Sequence, residues 1–312
     1  MIARWSEVKR WSPRILGAAL VLGGGIGEIE AQSAPAVEKA TREVLAKHDG
    51  KIRAGLWVGG ATGPARFASE PDAVMPTASA IKTAILVELF ARYADALDRP
   101  APGLDAILKD DHPAIAHFPP KQRDEIRQGL AGATVRRIGG VMMGAIPATN
   151  LVYNAAANAS IALLGGPEAT TRAIAARDAA FEPIRVRRYM LTNRKTYGDN
   201  EATTAALAAV FQRIASRSLV GVAPATIDAI RGSIIVKADP HRGRTYLKDG
   251  ELENVPITSV RSGWRETPDG KLIVFVAMLA RDDAGDKTPD EAHKALSATA
   301  NKVAEALLDS EP

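Results

Sequence analysis

A serine and a lysine three residues apart, Ser79 and Lys82, are the pair best suited to chemistry in this 312-residue chain. On a helix that spacing projects Oγ and Nζ from one face, where they can share a hydrogen bond. A lysine kept in a dry site loses its charge and can take the serine's proton, which produces a nucleophile for acyl transfer. A helix start adds free backbone N–H groups and a dipole that favour the developing oxyanion. The spacing alone is weak, since Ser6-Glu7-Val8-Lys9 repeats it in a stretch with no other sign of chemistry. Context separates the two. Residues 77–93 carry Ile81, Ile85, Leu86, Leu89 and Phe90 at helical spacing, with Thr77 placed to cap. That helix is expected to be buried and Lys82 with it, and a buried lysine is costly unless it has a role.

Other chemistries find little support. The chain has no cysteine, which removes disulfides, thiolate metal sites and a Cys nucleophile together. Its five histidines show no zinc-type spacing, so no metal and no cofactor are expected. No G-x-S-x-G elbow is present to support a Ser-His-Asp triad. A net charge of +4 without a dense Lys/Arg block argues against a nucleic-acid groove. Scattered arginines such as Arg136, Arg137, Arg187 and Arg188 read as solvated faces or structural ion pairs.

The elements that must hold Ser79 and Lys82 follow from the hydrophobic pattern. Lys9, Arg10 and Arg14 precede an apolar stretch over 15–26, and Ala31-Gln32-Ser33 offers small residues for cleavage. Residues 1–33 are therefore expected to be a signal peptide, too short in its apolar part to span a bilayer, and the protein to be periplasmic or secreted. Residues 36–48 read as an amphipathic helix, and 51–58 with 65–68 as an N-terminal hairpin. From 100 to 211 the chain is rich in helix and loop. Strand character returns at 233–238, 258–265 and 271–280, and a last amphipathic helix spans 289–308. The order implies an α+β fold: a sheet built from both chain ends and flanked by helices, with a helical insertion between them. We assign 34–309 to one such domain, its sheet part formed by 36–70 and 230–309 and its helical part by about 71–229.

Several motifs in this order resemble one family. Met75-Pro76-Thr77-Ala78-Ser79-Ala80-Ile81-Lys82 closely resembles the nucleophile segment of class A β-lactamases and of the wider penicillin-recognising serine hydrolases, the β-lactamase/transpeptidase-like group. Asn154-Ala155-Ala156-Ala157-Asn158 resembles the family's second motif. Asn200-Glu201-Ala202-Thr203-Thr204 looks like the end of its Ω-loop, and Arg261-Ser262-Gly263 stands where the family has K-T-G or K-S-G. The resemblance implies that Ser79 is acylated, that Lys82 is base or proton relay, and that Asn154 holds the substrate amide. It implies that Arg261 and Ser262 bind a substrate carboxylate, with Gly263 beside them. The N–H groups of Ser79 and Trp264 would then form the oxyanion hole. A small molecule or peptide bearing a carboxylate is the expected substrate.

Three departures from the family pattern bear on mechanism. Val152 stands where the second motif has a proton-relaying serine, with Tyr153 and Thr149 nearby as hydroxyl substitutes. Tyr189 stands where class A enzymes carry the glutamate that activates deacylating water, although Asn193 is present and Asp199 and Glu201 are the nearest acids. Arg261 replaces a lysine; a cation on a mostly apolar strand needs an anionic partner, which fits substrate binding, with a structural ion pair to Glu266 or Asp283 as the lesser alternative. Acylation is thus better supported than release. The expected function is an exported serine hydrolase acting on β-lactams or related amides and esters. The alternatives are a D-Ala-D-Ala peptidase-like protein and a non-catalytic or slowly acylated descendant.

Overall fold

The computed structural model describes residues 27–48 and 52–309, so most of the expected leader lies outside the described residues. Helix α1 (Gly27–Ala46) leads into the antiparallel pair β1 (Arg53–Gly60) and β2 (Ala65–Ser69). The helix begins ahead of the expected residue 36, so the small residues 31–33 lie within it. A short strand, β3 (Val74–Pro76), ends at a 3-10 turn, Ala78–Ile81, from which α2 (Lys82–Arg92) departs. The helical region continues through α3 (Leu104–Ile107), α4 (Pro120–Leu130), α5 (Val135–Met143), α6 (Asn150–Leu163) and α7 (Pro167–Arg177). A loop with the short α8 (Arg194–Tyr197) then reaches β4 (Glu201–Thr203), which pairs with β3. Helices α9 (Thr204–Ala215) and α10 (Pro224–Gly232) return the chain to the sheet. The sheet is completed by β5 (Ile235–Asp239), β6 (Gly243–Leu247), β7 (Gly250–Leu252), β8 (Ile257–Glu266) and β9 (Leu272–Arg281) before α11 (Pro289–Asp309).

The strand order is β2-β1-β9-β8-β6-β5, with β7 continuing along the β8 edge beyond β6. Sequence ends therefore meet in the middle, where β1 pairs with β9 over eight residue pairs, from Arg53↔Ala280 to Gly60↔Ile273. Both faces of β8 and β9 are covered, which explains why Leu272–Arg281 is almost uniformly apolar rather than alternating. On one face α1 and α11 pack Val37, Leu296, Ala300, Val303 and Leu307 against Leu56, Val58, Phe275 and Leu279. On the other, α9 separates the sheet from the helical region.

Helix α2 is the axis of that helical region. Every residue from Lys82 to Phe90 is buried, polar ones included. Gly139 of α5 lets the two helices touch, since a Cβ there would lie 2.4 Å from the Phe90 ring. Glu88, in the middle of α2, receives a two-pronged pair of hydrogen bonds from Arg177 of α7, each 2.9 Å long. Among the described residues no helix is long and apolar enough to cross a membrane.

Candidate active site

The chain reaches Ser79 through an unfavourable backbone. Ala78 has φ 48°, in the left-handed region that a non-glycine residue seldom adopts, and it turns the chain from β3 into the 3-10 turn. Thr77 does not cap a helix, as its position suggested. Its hydroxyl and its main-chain N–H both donate to the Asn200 carbonyl, at 2.9 Å each. This ties the nucleophile turn to the loop before β4. Helix α2 starts only at Lys82, so Ser79 presents its side chain from a tight turn into a groove of about 570 Å³. Ala78, Tyr153, Asn154, Met190, Asn200 and Gly250 are among the residues that line it.

Lys82 has no exposed surface. Its Nζ donates to Asn154 Oδ1 at 2.9 Å and lies 3.3 Å from the centre of the Tyr153 ring. Asn154 is oriented by Asn150, whose carbonyl and side-chain oxygen accept both Nδ2 protons at 2.9 and 3.0 Å. Only Oδ1 is left for the lysine. Burial, and after it the positive charge of Lys248, hold the Lys82 amine well below the ordinary lysine pKa of 10.5. The amide expected to hold a substrate is thus engaged at both ends by the protein itself.

Tyr153, rather than Val152, faces the groove. Val152 turns inward, so close to Gly129 that a Cβ there would lie 2.7 Å away. Thr149 spends its hydroxyl capping α6 and bonding Glu125 at 2.6 Å. The Tyr153 hydroxyl is 2.7 Å from Nζ of Lys248, a residue that sequence did not single out. Lys248 belongs to Lys248-Asp249-Gly250, at the junction of β6 and β7. Gly250 lies so close to the nucleophile turn that a Cβ would stand 2.6 Å from the Thr77 carbonyl and 2.8 Å from the Ser79 nitrogen. Lys248 N–H donates to Ser262 O at 3.0 Å, and β7 holds the same register against β8. Alternation along the strand then turns the Glu251 N–H outward, away from β8.

Lys248-Asp249-Gly250 therefore occupies the place expected for Arg261-Ser262-Gly263, and that expectation is corrected. The triplet lies on β8, and β7 intervenes between it and the groove. Arg261 points to α11, where it meets Ser297 Oγ at 2.7 Å, the Asn301 side chain, and Glu251 at 2.6 Å. It is a structural ion pair, though with Glu251 instead of Glu266 or Asp283. Ser262 is fully buried and bonds the Lys248 carbonyl. Gly263 allows β6 to pass, since a Cβ would fall 1.9 Å from the Tyr246 carbonyl. Trp264 is wholly buried and stacks on Tyr246 at 4.2 Å, and its backbone lies in the ladder between β6 and β9, away from any oxyanion. The missed triplet left a legible signal, a Lys-x-Gly at a strand edge, hidden because Asp249 stands where Thr or Ser was sought.

The remaining candidates stand apart from the nucleophile. Tyr189 Oη approaches Gly166 instead of the groove, and burial raises its pKa, which keeps the phenol protonated. Asn193 is exposed and caps α8. Glu201 is paired with Arg187 at 2.8 Å, and Asp199 with Arg194 at 2.7 Å and Arg188 at 3.4 Å. No group of three or more metal-ligating side chains occurs among the described residues.

A profile of the beta-lactamase enzyme family matches residues 36–99, which include the nucleophile turn. No curated protein matches in sequence. Among solved structures the chain is similar to a class A β-lactamase from Bacteroides cellulosilyticus DSM 14838, at 13% identity and a TM-score of 0.63, over 89% of this chain and 99% of that one. It is similar to the TLA-1 extended-spectrum β-lactamase at 13% identity and a TM-score of 0.65, over 88% and 99% of the two chains. It also matches PBP-A at 18% identity and a TM-score of 0.60, over 86% of this chain and 95% of that one. At such identities the likeness is one of fold. The chain thus has the fold of class A β-lactamases, and its segment 36–99, Ser79 included, matches the beta-lactamase enzyme family.

Proposed function

We propose that this protein is a serine acyl-transfer enzyme, acylated at Ser79 by β-lactams or by related amides and esters. The observation that carries the reading is the setting of Lys82. A neutral amine has two N–H donors and one lone pair. Asn154 Oδ1 and the face of the Tyr153 ring accept the two donors. That leaves the lone pair uncommitted, and in this reading it takes the proton of the Ser79 hydroxyl, three residues earlier in the chain. As Ser79 Oγ bonds to the substrate carbonyl carbon, its proton passes to Nζ, and the carbonyl π pair moves onto oxygen. The N–H groups of Ser79 and Glu251 are the donors suited to hold that oxyanion. Collapse of the intermediate breaks the C–N or C–O bond, and the proton on Lys82 goes on to the leaving atom.

Release of the acyl group is the slow step in this reading. Water needs a base, and the two acids nearest in sequence to the position of the family glutamate, Asp199 and Glu201, are both paired with arginines. Without a general base, hydrolysis slows by roughly two to four orders of magnitude. A point variant of PBP-A is solved as an acyl-enzyme complex with penicillin-G. The same shortage of a base favours, as second reading, a peptidase-like or acyl-binding role. Residues 9–33 support export to the periplasm or beyond as part of this proposal.

The test is intact-mass spectrometry after exposure to a penicillin and to an activated aryl ester, with Ser79→Ala alongside. We expect an adduct on Ser79 that persists for minutes or longer, and none on the variant. Failure of both reagents to give a Ser79-dependent adduct would overturn the reading.

A further inference from the structure

The two ends of the groove take different halves of a substrate. In the acylation proposed above the leaving atom takes its proton from Lys82, so it must lie toward Lys82, Tyr153 and Asn154. The acyl substituent then runs the other way, along β7 from Gly250 toward Asn254, with the loop that carries Met190 and Leu191 as the facing wall. Met190, Leu191 and Leu252 make that end apolar.

At the same end a single side chain joins the two walls. Arg194, the first residue of α8, is held on its own loop by Asp199, to whose carboxylate oxygens Nε and Nη2 donate at 2.7 and 2.9 Å. The same guanidinium reaches across to the connection between β7 and β8. There Nη1 donates to the Asn254 carbonyl at 2.8 Å and Nη2 to the Pro256 carbonyl at 3.0 Å. Its anchor is itself fixed. Asp199 is mostly buried and receives a further, longer bond from Arg188 at 3.4 Å, while Arg188 also donates to the carbonyls of Tyr189 and Thr192. Asn193 caps α8 by accepting from the Lys195 N–H at 2.9 Å, which sets the direction of Arg194. The Arg194 side chain is 19% exposed, so this is an enclosed link and not a loose surface contact.

We propose that Arg194 is a latch that closes the acyl end of the groove and makes this protein select compact, apolar acyl groups. A planar guanidinium bound to a carboxylate on one side and to two carbonyls on the other holds the walls at a fixed separation, because its donors form a rigid fork. A bulky acyl group can enter only by parting those bonds and leaving their donors and acceptors unmet. A compact one fits beside Met190, Leu191 and Leu252 with the latch shut. The inference rests on Ser79 as the nucleophile and deepens that reading.

Two pairs of reagents that keep the leaving group constant while the acyl group grows test it. One pair is benzylpenicillin and nafcillin, the other the 4-nitrophenyl esters of phenylacetic and diphenylacetic acid. Formation of the Ser79 adduct is followed by intact mass over time, and each rate is divided by that of the same reagent with hydroxide. In whichever pair acylates Ser79, the bulkier member is expected to react at least about tenfold more slowly. Arg194→Lys keeps a cation for Asp199 but lacks the fork that spans to both carbonyls, and should narrow that ratio; Arg194→Ala should narrow it further. A variant that only weakens the fold lowers both rates together and leaves the ratio where it was. Equal corrected rates for the two members with the unaltered protein, or a ratio that neither variant changes, would overturn the proposal. Absence of a Ser79-dependent adduct with all four reagents would instead remove the nucleophile assignment and this proposal with it.

Discussion

Lys82 sits where water does not reach it, and the nearest charge is a second cation, Lys248. Both circumstances favour the neutral amine, burial more than charge, so the base form persists to lower pH than for an ordinary lysine. The acylation rate should therefore rise with pH along the lowered Lys82 titration and level off below the usual lysine range. Lys248→Met removes the like charge but leaves the burial, and should move that rising limb to higher pH. Lys82→Met deletes the base and should slow acylation by about two to four orders of magnitude at every pH. Rates of adduct formation measured from acid to alkaline pH decide the matter, and an unmoved limb in Lys248→Met would contradict the assignment of its charge. The serine–lysine spacing and the need to bury Lys82 were both legible in the sequence. The partners were not. Tyr153 was one position from the residue sought, and only the direction in which α6 turns Val152 inward reveals that the tyrosine faces the groove.

Among the elements, the short β7 edge governs the site. Gly250 must lack a side chain for the strand to lie against the nucleophile turn, because a methyl group would meet the Thr77 carbonyl and the Ser79 nitrogen below 3 Å. Gly250→Ala should destabilise the fold by about 1–3 kcal/mol and lower the acylation rate, as measured by denaturant unfolding and by adduct formation. A variant with unchanged rate would mean that the turn can yield without moving Ser79. Strands with dense apolar runs, such as β1, β8 and β9, were readable to within a residue or two. Those with polar sequences were not: Gly243–Leu247, between β8 and the edge strand β5, and Gly250–Leu252, on the open side of β8, carry little apolar patterning. The triplet that adjoins Ser79 lay in that unread stretch. Likewise the helix expected over 77–93 begins five residues later, since the left-handed Ala78 interrupts a sequence whose side chains are helical in pattern.

At the scale of the whole molecule, the pair between Glu88 and Arg177 is an enclosed polar link joining α2 to α7. Arg177→Met leaves the Glu88 carboxylate buried without its partner and should cost about 3 kcal/mol, read as a fall in the denaturation midpoint. Little loss would imply that Glu88 finds water or takes up a proton. The α+β architecture was legible because apolar strands cluster at the two ends of the sequence. The depth of α2 in the centre of the helices was also foreshadowed by its lack of charge. The pairing of β1 with β9 carries a consequence for biosynthesis. About 210 residues separate Gly60 from Leu272, so a ribosome adding roughly 5–20 residues per second needs on the order of 10–40 s to supply the missing neighbour. Throughout that interval Leu56, Trp57 and Val58 stand on an unpaired strand edge in the nascent chain, the form most open to mispairing with another copy or to capture by a chaperone.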